Sequence, residues 1–320
     1  MTALRRLSRP LAALLLALSA SVLPTAVVAA EKLTVMLDWF VNPDHGPLFV
    51  ARELGYFEQA GLEIELIAPA DPNNPPKLVA AGKADIAVSY QPSLHMQVDQ
   101  GLPLVRIGTL IATPLNSLVV LEDGPIKSIA DLKGGKIGYS VGGVEEAMLT
   151  VMLGKYGLTL ADVELVNVNF SLSPALIAGH VDAVIGAYRN FELNQMDIEG
   201  RPGRAFYVEE EGIPGNDELI FVAHKERLDR PALRDFIHAI ERGAQYMVNH
   251  PQASWELFKA VDSSLDNELN RRAWRDTLPR FALRPAALDR GRYQRFAAFL
   301  HEQGIIESVP PLDSYAVELQ

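Results

Sequence analysis

The chain contains no cysteine. Disulfide cross-links, thiolate metal sites and a cysteine nucleophile are therefore excluded, as is the lipidated cysteine that tethers many exported bacterial proteins. Long apolar runs are equally scarce. One, "LAALLLALSASVL", follows Arg5, Arg6 and Arg9 and precedes the small residues "AVVAA". It is too short to span a bilayer and no basic stop-transfer flank follows, so residues 1–30 read as a signal peptide cleaved after Ala30. No other run has transmembrane length, and the mature protein is expected to be soluble. Positive charge is also in short supply. Without the three arginines of the leader, 26 basic residues face 40 acidic ones, a net charge near −14. Such a surface repels nucleic acid and anionic lipid, so neither is expected as a partner. No internal repeat and no low-complexity tract is present. An exported chain with no tether stays useful where an outer membrane retains it, which points to a Gram-negative periplasm.

What is there is a regular alternation of short apolar runs and helical patterns. "KLTVML", "LEIELIA", "ADIAVSY" and "LVRIGTLI" read as strands, with helices in "GPLFVARELGYFEQAG" and "NPPKLVAAGK". This is the pattern of a parallel sheet covered on both faces. A second α/β unit follows from Ser117. Its strands are "SLVVLE", "GKIGYS", "VELVNVN" and "DAVIGAY", and its helices "SIADLKG", "GVEEAMLTVMLGKYG" and "SPALIAGHV". "ELIFVAH" then leads into a helical third with Leu233, Phe236, Ile237 and Ile240 on one face. The expected architecture is α/β with two lobes: 31–115 in the first, 116–220 in the second, and 221–320 returning to the first. Crossings near 112–118 and 219–223 would form a hinge, with a ligand cleft between the lobes.

Candidate site residues collect where strands end, the ligand-binding edge of such sheets. Asp38 and Trp39 follow the first strand: the ring would stack on a planar ligand and the carboxylate accept its hydrogen bonds, or the pair is a core plug beside a capping Asp. Asn42 and His45 are either ligand contacts or the polar start of the next helix. Ser89, Tyr90 and Gln91 close the third strand, where an ordinary turn before Pro92 is the alternative. Gly143 opens a helix that would suit an anion, but Glu145 and Glu146 already fill its first turn and complement the dipole. Tyr188, Asn190 and Glu192 lie beyond "DAVIGA" and repeat the aromatic-plus-carboxylate chemistry on the second lobe, unless they form a solvated helix start. Asp217 and Glu218 precede the return crossing. Two aromatic plates with carboxylates around them suit an aminopyrimidine, which offers a flat face, an amino donor and a protonatable ring nitrogen.

At these residues the sequence resembles the thiamine pyrimidine precursor family, whose bacterial members are binding proteins that feed importers and whose eukaryotic members are pyrimidine synthases. The likeness runs through "LDWFVNPDHGPLFVARELGYFEQAGLEIEL", "GKADIAVSYQPSLH", "LKGGKIGYS", "DAVIGAYRNFE" and "NDELIFVA". It implies a type II periplasmic-binding fold and a ligand such as formylaminopyrimidine or hydroxymethylpyrimidine. It also implies stacking by Trp39 and Tyr188, hydrogen bonding by Asp38 and Glu192, and lesser contacts at Ser89, Tyr90, Asp217 and Glu218. The synthase branch carries a lysine four residues before a histidine, together with a cysteine-rich loop. Here His95 is preceded at that spacing by Gln91, and no cysteine exists, so the amine a Schiff base needs is missing. The expectation is a non-enzymatic, monomeric binding protein without cofactor, whose partners are the pyrimidine and the permease and ATPase of an ABC importer. The competing readings are a pyrimidine-forming enzyme and a binder of a sulfonate or other small solute. The latter would call for a cationic cleft, for which Arg189 is the nearby candidate.

Overall fold

The computed structural model describes residues 30–319. The expected signal peptide lies outside the described residues except for Ala30, and β1 begins at the next residue. Among the described residues no helix is long and apolar enough to cross a membrane.

Ten strands form the framework: β1 Glu31–Met36, β2 Leu62–Ile67, β3 Ile86–Ser89, β4 Leu104–Ile111, β5 Asn116–Leu121, β6 Lys136–Tyr139, β7 Glu164–Asn167, β8 Ala183–Tyr188, β9 Gly203–Tyr207 and β10 Leu219–His224. Between and after them run α1 Gly46–Glu53, α2 Tyr56–Gln59, α3 Pro75–Ala80, α4 Gln91–Asp99, α5 Val144–Gly154, α6 Leu172–Ile177, α7 Glu192–Ile198, α8 Pro231–Asn249, α9 Pro251–Lys259, α10 Glu268–Thr277 and α11 Arg290–Glu302. Three local expectations change. The single helix expected over 46–61 is split where Gly55 adopts φ +68°. "SIADLKG" is a 3₁₀ turn, Ile129–Leu132, closed by the Ser128–Asp131 capping box. The half-buried edge strand β9 carries no strong apolar signal and escapes sequence reading.

The strands form two five-stranded sheets of like design, β2-β1-β3-β10-β4 and β7-β6-β8-β5-β9. The sheets are mixed rather than wholly parallel. β1 pairs in parallel with β2 and β3, and β6 with β7 and β8, whereas β10 and β5 run antiparallel to their neighbours. The two antiparallel strands are the crossings themselves: β5 carries the chain into the second sheet and β10 returns it to the first. Their amino ends therefore lie at the same edge as the carboxyl ends of the parallel strands. Chemistry from strand starts and strand ends meets at one cleft.

The apolar faces of β1, β3, β4 and β10 pack on α1, α8 and α9 in one core, and β5, β6 and β8 pack on α5 in another. The return segment serves both. Tyr293 of α11 is buried with the first lobe, while Phe296 and Leu300, about one and two turns on, are buried with the second. Each lobe also lends an aromatic to the other. Trp39, from the end of β1, packs against the second-lobe cluster around Met196 and Leu172, and Tyr188, from β8, packs against the first-lobe core. Across the cleft Arg272 pairs with Asp197 at 2.6 Å and the Asn194 amide donates to Asp276 at 2.9 Å, which ties α7 to α10.

Candidate functional site

The carboxyl ends of β1, β3, β6 and β8 converge on a cavity between the lobes, with about 590 Å³ of empty space counting its mouth. Trp39, Tyr90, Tyr188 and Phe191 supply aromatic surface, and Val141, Val144, Met148 and Leu172 supply apolar walls. Five carboxyl groups, Asp38, Asp44, Glu145, Glu192 and Glu218, line the same space, and no lysine or arginine does.

On the first-lobe wall each Asp38 oxygen has one protein partner and keeps a further lone pair for a guest. Oδ2 accepts the Tyr90 hydroxyl at 2.9 Å, and Oδ1 meets His45 Nε2 at 2.9 Å. The His45 ring accepts the Asn42 amide at Nδ1, 3.3 Å away, so its proton sits on Nε2 and points at Asp38. Asn42 caps the short turn Pro43–His45: its Oδ1 accepts the Asp44 amide at 2.8 Å and its Nδ2 donates to the Phe40 carbonyl at 3.1 Å. That turn delivers Asp44 into the cavity. Burial lifts the Asp44 carboxyl to about 6, and its Oδ1 accepts Asn190 Nδ2 from the other lobe at 2.6 Å, beside the Thr277 hydroxyl at 3.0 Å.

On the second-lobe wall Glu145, in the first turn of α5, turns back to accept the Ser140 amide at 2.7 Å. It is 4% exposed, and burial raises its carboxyl to about 8. Its room comes from Gly186 in β8, whose φ of +94° and lack of a side chain leave the space open. The Gly186 amide donates to Asn116 Oδ1 at 3.1 Å. Glu192 opens α7 and accepts the Tyr188 amide at 2.7 Å; burial raises it, too, to about 8. Glu218, just before β10, accepts the Leu115 and Asn116 amides at 2.5 and 3.0 Å, stapling one crossing to the other. Burial raises its carboxyl despite those donors and the nearby Tyr188 hydroxyl. That hydroxyl, though close to Glu218, finds no partner in hydrogen-bond geometry.

Of the residues singled out from sequence, Asp38, Trp39, Asn42, Tyr90, Tyr188, Glu192 and Glu218 line the cavity. The others do not. His45 stands behind Asp38 with no exposure. Asn190 forms the cross-lobe tie to Asp44. The Gly143 amide, at φ +85°, is taken by the Glu146 carboxylate. Gln91 is wholly buried, its Oε1 accepting the Asp217 amide at 2.8 Å and its Nε2 meeting His95 at 3.3 Å. Asp217 is a structural hub: Oδ2 accepts the Thr109 hydroxyl at 2.7 Å and Oδ1 pairs with Arg292. Ser89 lines a separate space beyond Tyr90. Arg189 faces away from the cavity, held by Glu209 at 2.6 Å and stacked on Tyr207 at 4.0 Å. Sequence reasoning missed Asp44, Asn116 and Glu145 as cavity residues. Asp44 reads as turn chemistry in "NPDHG" and Glu145 as a helix-dipole complement, and only the acid placed after "GG" hinted at more.

A family model described as "NMT1/THI5 like" matches residues 42–254. A Haemophilus influenzae protein named for thiamine biosynthesis is 52% identical over 293 residues, 91% of this chain and 93% of its own length. A formylaminopyrimidine-binding protein of Halalkalibacterium halodurans is 34% identical over 225 residues, 70% of this chain and 68% of its own. A 4-amino-5-hydroxymethyl-2-methylpyrimidine phosphate synthase of Uromyces fabae is 29% identical over 259 residues, 76% of this chain and 75% of its own. Among solved structures, the periplasmic aliphatic sulphonate binding protein SsuA from Escherichia coli superposes with a TM-score of 0.67 at 14% identity, covering 91% of this chain and 92% of that one. The fold is that of the periplasmic binding proteins.

Proposed function

The chain belongs to the NMT1/THI5-like family, and from that premise we propose that it is a substrate-binding protein that closes its lobes around a thiamine-precursor aminopyrimidine, formylaminopyrimidine or hydroxymethylpyrimidine. The observation that carries this reading is the lining of the cavity: five carboxyl groups among aromatic plates, with no cation. A sulfonate, nitrate or phosphate entering it would find no lysine or arginine to balance its charge, whereas an aminopyrimidine brings donors that these acids can accept. In this reading Trp39 and Tyr188 hold the two ring faces, Glu192 and Asp38 accept from the amino group and ring nitrogen, and Tyr90 and Glu218 set the edge. The ring would draw Trp39 and Tyr188 together and so select the closed arrangement by its differential affinity. The leader-like stretch after Arg5, Arg6 and Arg9 supports export to a periplasm, where the loaded protein would deliver its ligand to a permease and ATPase.

The same geometry disfavours the synthase reading. Gln91 and His95 stand outside the cavity, with His95 packed among Tyr293, Phe296 and Tyr315 and lowered by burial to about 4. Titration calorimetry of the mature protein tests the proposal. Saturable binding of hydroxymethylpyrimidine or formylaminopyrimidine is expected, with none for taurine; the reverse outcome would sink it.

A further inference from the structure

One donor in the cavity stands apart from the acids around it. Asn116, the first residue of β5, lines the cavity and is 6% exposed. The direction of its side-chain amide is fixed by a neighbour. Oδ1 accepts the Gly186 amide at 3.1 Å, which turns Nδ2 the other way, toward Met148 Sδ at 3.6 Å. Exchanging the two atoms would set N–H against N–H. A thioether is a weak acceptor, and Nδ2 carries two hydrogens. Among the described residues no other acceptor takes them. Two further donors of the cavity are already engaged: Asn42 Nδ2 with the Phe40 carbonyl, and the Tyr90 hydroxyl with Asp38.

Strand register sets this donor beside the place proposed for the ring. Asn116 stands directly opposite Tyr188 in the antiparallel pairing of β5 with β8. Opposite residues project from the same face of a sheet, with β-carbons about 4.5–5.5 Å apart. A ring lying flat on Tyr188 therefore turns an edge, not a face, toward Asn116. An edge of an aminopyrimidine has need of a donor. The ring has two nitrogens and takes up one proton at most near neutral pH, because the first charge opposes a second. Whichever nitrogen a carboxylate keeps protonated, the other turns a lone pair into a cavity lined by five carboxyl groups. A buried acceptor left without a donor is penalised.

We propose that Asn116 determines specificity by donating from Nδ2 to the unprotonated ring nitrogen of the ligand, so that the protein distinguishes a ring with two nitrogens from a ring with one. The proposal rests on the aminopyrimidine reading of the cavity. It adds an acceptor on the ligand where that reading has only donors.

The test is calorimetric titration of the mature parent, Asn116→Asp and Asn116→Leu. The probes are hydroxymethylpyrimidine or formylaminopyrimidine, whichever the parent binds more tightly, and three analogues of it. Two of these carry C–H in place of one ring nitrogen or the other, and the third lacks the hydroxymethyl or formylamino arm. Asn116→Asp keeps an oxygen for the Gly186 amide and replaces the donor by an acceptor. Asn116→Leu removes the donor without adding charge, and gives a second reading should either variant fold poorly. Each variant is compared with the parent on the same probe, which cancels differences in the probes' own basicity. Both variants should bind the two-nitrogen probes, with or without the arm, about tenfold more weakly, the yield of one hydrogen bond to a buried acceptor. For one of the single-nitrogen analogues the loss should shrink to about twofold or less, because the nitrogen that Asn116 meets is gone. Equal losses on every probe would leave Asn116 a merely structural role, and a loss confined to probes with the arm would assign its donor to the substituent. Either result, or no loss at all, overturns the proposal while the aminopyrimidine reading stands. If the parent binds neither pyrimidine, that reading itself fails and the proposal with it.

Discussion

The Glu145 carboxylate occupies the space that a side chain at residue 186 would need: a β-carbon on Gly186 would stand 2.2 Å from Oε1. The first turn of α5 and the middle of β8 are thus fitted to each other, and the acid is aimed at the cavity by the absence of an atom opposite. Gly186→Ala should cost about 1–3 kcal/mol from its left-handed backbone alone, and should also drive the carboxylate into the ligand's space. Adding Glu145→Ala should recover the steric part, so the two changes couple favourably by about 0.5–3 kcal/mol. Denaturant unfolding of the two single variants and the double measures that coupling; strict additivity would mean the two groups do not press on each other.

Asn73 clasps the second lobe through two hydrogen bonds, to the Ser140 carbonyl and the Gly142 amide. Removing them weakens the closed arrangement more than either lobe's core. Asn73→Ala should therefore speed ligand release by about 2- to 10-fold per hydrogen bond lost, with little change in melting temperature. Stopped-flow tryptophan fluorescence reads the release rate directly. An unchanged rate would assign closure to the α7–α10 contacts instead.

Burial lifts Glu145 and Glu192 to about 8 and Asp44 to about 6, from ordinary values of 4.5 and 3.8. Between the ordinary and the raised values the native state holds protons that the unfolded chain has released, so stability is greatest in mild acid and falls as pH rises toward 8. Each carboxyl contributes up to about 1.4 kcal/mol per pH unit inside its window. Acids lowered by amide donors, such as Asp71 and Asp99, act only below their ordinary value and leave this window alone. Thermal melting of the unliganded protein from pH 5 to 8.5 should show the decline, and a Glu145→Gln/Glu192→Gln variant should show a flatter one. Equal slopes would mean that these acids are ionised throughout.

Which of these features were legible in the sequence follows from how local their causes are. The strands of both sheets other than β9 were readable because apolar runs of four to eight residues carry their own signal. Asp38, Trp39, Tyr188 and Glu192 line the cavity, as expected of residues beyond the carboxyl ends of strands in such sheets. Gln91 and Asp217 were misread for the opposite reason. They serve each other across 126 positions, and no local pattern tells a buried tie from a ligand contact. Asn42 and His45 form a turn's internal capping box, which looks in sequence like a cluster of site residues. Glu145 was hidden because its direction depends on Gly186, a residue in another strand.

Trp39 lies half-buried at the cleft, its ring edge-on to Phe170 with centroids 4.6 Å apart and 5.7 Å from that of Phe40. It is held by the opposite lobe rather than by its own core. Trp39→Ala should thus weaken pyrimidine binding by roughly 1–3 kcal/mol, as for a base stacked on an aromatic side chain. The loss of stability should stay below the 3–5 kcal/mol typical of a buried tryptophan. Calorimetry beside thermal melting separates the two. A large fall in melting temperature with unchanged affinity would return Trp39 to a packing role.

Glu192 makes the sharpest distinction between an aminopyrimidine and an anionic ligand. Its Oε2 accepts the Tyr188 amide, and the carboxyl lines the cavity, where a ligand can reach it. A donor from the ligand there favours the ionised form, so at alkaline pH the bond is charge-assisted, and Glu192→Gln should cost about 1.5–3 kcal/mol. Below about 8 the free protein holds Glu192 protonated, and a neutral donor must first displace that proton. The advantage of the parent over Glu192→Gln should therefore shrink as the pH falls toward 6. A sulfonate would respond in the opposite sense, because an ionised carboxylate repels it and both acid and the Gln substitution relieve that repulsion. Affinities measured for parent and variant at pH 6, 7.5 and 9 decide the matter. A gap that widens in acid, or taurine binding that strengthens in Glu192→Gln, would remove the carboxylate from the recognition of an amino group.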